Sequence, residues 1–232
     1  MNRIISSGEL VSVVIPCHNE EASIEKVIKA IPVGVREVIV VDNNCTDRTA
    51  QIAQKNGARV VFEGKTGYGS SLKCGFRSAL GDIIVTLDGD NQYPPYKILD
   101  AADFLVANNF DFVSASRFPL DDRQCMPIQR QVGNKALTWA TNKVFGLKLA
   151  DALSGMWIFK RELLPMLDLV SDDMPMTEEI KIRAATNNGI HFAEYHIPYH
   201  ARMGESKLLP FRDGWKMLCF LFTLRKILRA QK

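Results

Sequence analysis

The first half of the chain alternates short, nearly all-apolar β-branched runs with longer stretches in which apolar residues recur at helical spacing. Residues 11–15, 37–41, 59–62, 83–87 and 112–115 are predicted strands, and 20–30, 46–56, 68–80 and 95–107 predicted helices. Gly57 and Gly81 stand just past two of these helices and Pro95 opens another, the usual placing of the two residues. Strands apolar along their whole length imply a sheet buried on both faces, hence a mostly parallel sheet with helices on either side. The second half is less regular, with a helix over 128–145, a strand over 156–159, a helix over 178–187 and an alternating strand over 191–197. Without an internal repeat, low-complexity segment or linker, the pattern describes one α/β domain over residues 1–209, followed by an amphipathic helix over 210–232.

Composition adds little to that picture, and charge adds more. With 232 residues, 47% of them hydrophobic, the chain can bury a sizeable core. A net charge of +3 is too mild for a surface built to coat nucleic acid. The charge is uneven, however: residues 201–232 carry eight basic residues against Glu205 and Asp213, which leaves the remainder slightly acidic. The C-terminal end therefore suits an anionic partner. Five cysteines without a Cys-x-x-Cys pair, and no basic-then-apolar leader, point to a reducing, cytosolic protein. No apolar run approaches the roughly 18 residues of a membrane-spanning helix, so a peripheral position on a membrane stays open.

Sheets of this kind bind ligands at the carboxyl ends of their strands, and the residues there are polar. Asp88-Gly89-Asp90 is the only Asp-x-Asp in the chain and follows an apolar strand. Carboxylates two apart on a strand face the same way, Gly89 permits a sharp turn, and Gln92 offers a third oxygen, a donor set suited to a hard divalent cation. The competing reading is a solvated turn. Three other motifs fail on spacing. Gly64-Lys65-Thr66 lacks the first glycine of a phosphate loop, Gly67-Tyr68-Gly69 lacks the third glycine of a dinucleotide fingerprint, and Gly204-Glu205-Ser206-Lys207-Leu208 lacks the closing glycine of a nucleophile elbow. His196 and His200 flank Pro198 and read as structural histidines.

Taken together and in order, several short motifs resemble the nucleotide-sugar glycosyltransferases of family 2, within them the dolichyl-phosphate mannose synthase type and related polyprenyl-phosphate sugar transferases. The likeness spans about residues 11–207. It rests on Val14-Ile15-Pro16 with Asn19-Glu20, Val40-Val41-Asp42 with Thr46-Asp47, Leu87-Asp88-Gly89-Asp90-Asn91-Gln92 with Pro94-Pro95, Ser116-Arg117, Asp151 with Ser154-Gly155, Glu179, and Arg202-Met203-Gly204-Glu205-Ser206-Lys207.

The resemblance implies a GT-A, Rossmann-like fold and an inverting, metal-dependent transfer of a sugar from a UDP- or GDP-linked donor to a polyprenyl or dolichyl phosphate at the cytosolic membrane face. Pro16, Glu20, Asp42 and Asp88 would hold the nucleotide. Asp88, Asp90 and Gln92 would hold Mg²⁺ or Mn²⁺, with Arg202 and Lys207 closing over the diphosphate. Arg117 and Arg130 match arginines that bind the acceptor phosphate. Asp151 and Glu179 are the candidate bases, although an ionised phosphate acceptor is a nucleophile without help, so their role could instead be orientation or charge balance. A sugar hydroxyl acceptor would need a base.

Independently of any family, residues 210–232 interleave aromatic and aliphatic residues with Lys216, Arg225, Lys226 and Arg229, the make-up of a helix lying on an anionic membrane. A helix packed on its own domain is the competing reading. Two departures from the family pattern bear on specificity. Asp42-Asn43-Asn44-Cys45 replaces the usual Asp-Asp-Gly-Ser, which touches base preference, and Ile158 stands near an arginine of several lipid-phosphate members, which touches the sugar and acceptor. The chain lacks the spanning helices some relatives append, so a membrane-embedded partner subunit is a further expectation. Two rival functions remain: the same chemistry on a soluble saccharide or small-molecule hydroxyl, and a non-catalytic nucleotide-binding or scaffolding subunit. The sugar, base, lipid length and oligomeric state are not legible.

Overall fold

The structure is a computed structural model that describes residues 10–204 and 210–231. The strands are β1 (Val11–Cys17), β2 (Glu37–Asp42), β3 (Arg59–Phe62), β4 (Ile83–Thr86), β5 (Phe112–Ser116), β6 (Trp157–Lys160) and β7 (Phe192–His196). The helices are α1 (Ile24–Lys29), α2 (Thr49–Lys55), α3 (Tyr68–Ser78), α4 (Ile98–Ala107), α5 (Ile128–Phe145), α6 (Leu164–Leu167), α7 (Met176–Thr186) and α8 (Pro210–Ala230). All seven strands form one sheet in the order β3-β2-β1-β4-β6-β5-β7. The neighbours β1–β2, β1–β4, β2–β3 and β5–β7 are parallel, whereas β6 runs antiparallel to both β4 and β5.

The expected mostly parallel sheet with helices on both faces is what the chain adopts. Alternation along each strand divides the core in two. Val11, Val13, Ile15, Val85 and Val113 face α1, α2 and α4. Val14, Ile39, Val41, Ile84 and Phe112 face α3, α6 and α7. Helix α3 lies so close that a Cβ on Gly75 would fall 2.3 Å from a Val14 methyl, so only glycine fits there. Helix α7 is covered twice, by the sheet and, through Ile182, by Leu221 and Leu224 of α8.

Several boundaries differ from the sequence expectation for local reasons. The predicted helix over 20–30 begins only at Ile24, because the Glu20 carbonyl accepts from both Ser23 N and Ile24 N in a preceding turn. Helix α2 begins at Thr49 rather than residue 46, since Asp47 Oδ1 accepts from Thr49 N at 2.9 Å in a local turn that precedes the helix. Strand β4 stops at Thr86, so Asp88 and Asp90 lie on a turn and not on the strand that spacing suggested. Their proximity comes from that turn, which passes through Asn91 at φ 64°. No helix among the described residues is long and apolar enough to cross a membrane.

Candidate active site

The strand order reverses direction at β1 and β4, and the loops that follow β1, β2 and β4 meet around the crevice this opens. Each loop turns through an asparagine in the left-handed region: Asn19 at φ 58°, Asn44 at φ 59° and Asn91 at φ 64°. Asparagine tolerates this conformation better than other non-glycine residues. The loops are also stitched to each other. Asn19 Oδ1 accepts from Thr46 N at 2.7 Å, and a His18 ring nitrogen lies 2.8 Å from the Asn43 carbonyl.

Pro16 pairs in register with Val41, and Cys17 with Asp42, so two of the expected nucleoside residues sit side by side at the edge of the crevice. Asp42 Oδ1 accepts from Cys45 N at 2.8 Å. Glu20 packs against the Asp-Gly-Asp turn, its Cγ 3.2 Å from where a Gly89 Cβ would be. Asn43, the departure from the family pattern, has a structural role. Its amide donates to the carbonyls of Glu63 and Lys65 at 2.8 and 2.9 Å, and its Oδ1 accepts from Gly67 N at 2.9 Å. A carboxylate could not donate the first two bonds.

Asp88 is half-buried and Asp90 fully buried. Burial and then the neighbouring Asp90 charge raise Asp88 to about 7, against the pull of the Tyr68 hydroxyl and of Arg202 and Arg117. Asp90 Oδ1 accepts from Gln92 N at 2.9 Å, while Arg202 Nη2 lies 2.5 Å from Asp90 Oδ2. The strand-end segment carrying Arg202 is laid along the turn by backbone bonds from His200 N to Gln92 O and from Met203 N to Asp90 O. A full positive charge is thus already accommodated against these carboxylates, and two crowded acids with the Gln92 amide are a donor set that fits a hard divalent cation. Lys207 lies outside the described residues.

Arg117 and Asp151 form a buried fork-to-fork pair. Arg117 Nε and Nη2 donate to the two Asp151 oxygens at 2.7 and 2.9 Å, and Arg117 N donates at 3.1 Å. Burial would raise the Asp151 carboxyl, but the Arg117 charge and hydrogen bonds, helped by Lys181, outweigh it and hold it at about 2. The guanidinium also lies 5.2 Å from the Tyr199 ring centroid. Around this pair the turn 150–155 is gripped from several elements. Glu194 accepts from Ala150 N and Asp151 N, Lys181 Nζ donates to the Asp151 and Ser154 carbonyls, and Tyr93 Oη accepts from Gly155 N. Burial lowers Lys181 to about 7 and raises Glu178, one helical turn away, to about 8.

Glu179 is placed apart from this pair. Its oxygens accept from Val170 N, Ser171 N and Arg183 Nε at 2.9, 2.7 and 2.8 Å, which makes it a brace for the 170–172 segment. Arg130 stands half-buried in the first turn of α5. Beside the first turns of α5 lies a groove of about 880 Å³, lined by Phe118, Pro119, Leu120, Met126, Pro127 and Ile128 together with Arg123 and Lys135. The sequence reading missed Lys181, Glu178, Glu194 and the role of Asn43. Only Asn43 left a signal, as a departure from the family motif.

The family model for glycosyl transferase family 2 matches residues 12–166. The chain is 34% identical over 206 residues to the dolichyl-phosphate hexose transferase of Haloferax volcanii, covering 88% of each. It is 31% identical over 219 residues to the low-salt glycan biosynthesis hexosyltransferase Agl6 of the same archaeon, covering 91% of this chain and 53% of that protein, so the chain spans about half the length of Agl6. Among solved structures, the glucosyl-3-phosphoglycerate synthase of Mycobacterium tuberculosis in complex with Mn²⁺, UDP-glucose and phosphoglyceric acid superposes with a TM-score of 0.74 at 25% identity, over 97% of this chain and 82% of that one.

Proposed function

The chain belongs to glycosyl transferase family 2, and from that premise we propose that it transfers a sugar, with inversion, from a nucleoside-diphosphate sugar to a polyprenyl phosphate at the cytosolic face of a membrane. The observation that carries the acceptor is a mostly apolar groove whose lining begins at Phe118, the residue directly after Arg117, which is itself buried on Asp151. An isoprenoid tail along Phe118, Leu120, Met126 and Ile128 suits that lining, with the anionic head directed toward Arg117. The hexose transferase named above for dolichyl phosphate supports the same class.

On this reading Pro16, Glu20 and Asp42 hold the nucleoside, and Arg202, with Lys207, binds the diphosphate. Asp88, Asp90 and Gln92 would hold Mg²⁺ or Mn²⁺, which supplies positive charge to the leaving diphosphate. The acceptor phosphate is already an anion at neutral pH and needs no base. Asp151 accordingly serves as the counter-charge that orients Arg117. A group held at about 2 is a poor proton acceptor near pH 7. Arg130, in the first turn of α5, adds a second positive charge to the acceptor's approach. Glu179 acts at a distance, bracing the 170–172 segment.

Membrane attachment is supported by the outer faces of two neighbouring helices. On α5, Ile128 is 77% and Trp139 65% exposed; on α8, Phe211 is 90% and Trp215 67% exposed. Exposed Lys135, Lys143, Lys226 and Arg229 lie among them. Exposed aromatic and basic residues on two packed helices suit the interface of an anionic leaflet. A membrane-embedded partner subunit would be a further attachment.

The test is transfer of radiolabelled sugar from UDP- and GDP-linked donors to a short-chain prenyl phosphate, with Mn²⁺ present. Labelled lipid is the expected product, and none from any donor would reject the acceptor. A second reading, a soluble phosphorylated acceptor, is favoured by the solved relative crystallised with phosphoglyceric acid. Parallel incubation with phosphoglyceric acid separates the two, since its product stays in the aqueous phase.

A further inference from the structure

The segment Gly67-Tyr68-Gly69, a failed dinucleotide fingerprint, is absorbed by none of the roles above. Tyr68 opens α3, and its hydroxyl donates to Asp88 Oδ1 at 3.0 Å. Among the described residues this is the one hydrogen bond that the Asp88 carboxylate makes. Asp90, in contrast, is fixed by Gln92 N and Arg202. With Asp88 on a turn beyond β4, its strand does not settle where its oxygens point.

The backbone that carries Tyr68 is packed closely on its neighbours. Gly67 N donates to Asn43 Oδ1 at 2.9 Å, and Ser70 N donates to the Asp172 carbonyl at 3.0 Å. A Cβ on Gly67 would come 2.2 Å from Asp172 O, and one on Gly69 would come 2.5 Å from Ser171 O, so the helix start lies flush against the segment that Glu179 braces. On the far side, a Cβ on Gly155 would fall 2.8 Å from the Tyr68 hydroxyl oxygen and 3.4 Å from Asp88 Oδ2. Gly155 is in turn held by Tyr93 Oη and Thr86 Oγ1. The start of α3, braced by the 170–172 segment, and the turn at Gly155 thus meet at one hydroxyl and one carboxylate.

We infer that Tyr68 is a positioning residue that fixes Asp88 Oδ1 and so aims the second oxygen of Asp88 at the divalent cation of the donor complex. The inference rests on Asp88 being a cation ligand. It makes the asparagine at position 43 and the glycines at 67, 69 and 155 parts of one support, in which a site formed on a turn takes its precision from the scaffold around it.

The test is Mn²⁺ binding, followed by the electron paramagnetic resonance of free Mn²⁺ with UDP or GDP present, for the wild type, Tyr68→Phe and Asp88→Asn. The phenylalanine keeps the ring and removes only the hydroxyl. Tyr68→Phe is expected to melt within several degrees of the wild type and to weaken Mn²⁺ about ten- to a hundredfold, the effect of one hydrogen bond to a charged group. The Mn²⁺ concentration for half-maximal transfer should rise by the same factor, with kcat restored at saturating metal and the acceptor KM unchanged. A merely structural tyrosine would give a loss that metal does not repair, and that result overturns the inference. So does a Tyr68→Phe titration superimposable on the wild type while Asp88→Asn is weakened. If Asp88→Asn itself binds Mn²⁺ normally, the cation reading of Asp88 fails and this inference falls with it.

Discussion

Asp151→Asn separates two roles open to a buried acid beside an acceptor. If Asp151 is the counter-charge of Arg117, the substitution leaves a guanidinium that is 6% exposed without its partner. Breaking a buried pair on one side costs on the order of 3–5 kcal/mol, and in a chain of this size each kcal/mol lowers the melting temperature by about 2–4 °C. The expected fall is therefore about 6–20 °C at pH 7. The pH dependence has a definite sign. Arg117 and its hydrogen bonds overcome burial and hold the folded carboxyl at about 2, below its ordinary value of 3.8. The folded state then binds this proton less readily than the unfolded chain. The contribution is complete above pH 4 and is lost as pH falls toward 2, in total about 2.5 kcal/mol at 1.4 kcal/mol per unit. Thermal melts of wild type and variant between about pH 1.5 and 8 should draw closer toward the acid end, by about 2.5 kcal/mol in all. Arg117→Gln/Asp151→Asn should be more stable than the sum of its single losses by about 1 kcal/mol or more. A variant that melts with the wild type, joined to an acid limb in the wild-type rate profile that the variant lacks, would show a general base and refute the pairing argument.

Asn43→Asp removes two donated bonds to the Glu63 and Lys65 carbonyls and sets a negative charge against them. A loss of about 1–3 kcal/mol and a higher donor KM with a smaller effect on kcat are expected from denaturation and initial rates. Chelation by EDTA should stop transfer, and added Mn²⁺ should restore it, as read by labelled product. Trp139→Glu/Trp215→Glu places two carboxylates on the exposed faces of α5 and α8. It should abolish co-sedimentation with phosphatidylglycerol vesicles while changing stability by less than about 1 kcal/mol, as surface substitutions do.

Strands buried on both faces are apolar throughout, so the first polar residues mark their carboxyl ends, and Asp42, Asp88 and Asp90 could be picked out for that reason alone. The direction of β6 could not, because the run Trp157–Lys160 reads the same whichever way it is laid between β4 and β5. Nor could the state of Asp151. Its partner Arg117 is 34 residues away, and without that contact the acid looks available for proton transfer. Helix α7 hid most. Glu178, Glu179, Lys181 and Arg183 have the composition of a solvated face, yet all are buried between the sheet and α8. Specific bonds hold Glu179, Lys181 and Arg183 there, with Lys181 fastened to the Asp151 turn and Glu179, joined to Arg183, fastened to the 170–172 segment. A residue type at a strand end says which chemistry is present. Which acid keeps its proton, and which oxygen faces the substrate, is decided by buried partners that the sequence brings together only on folding.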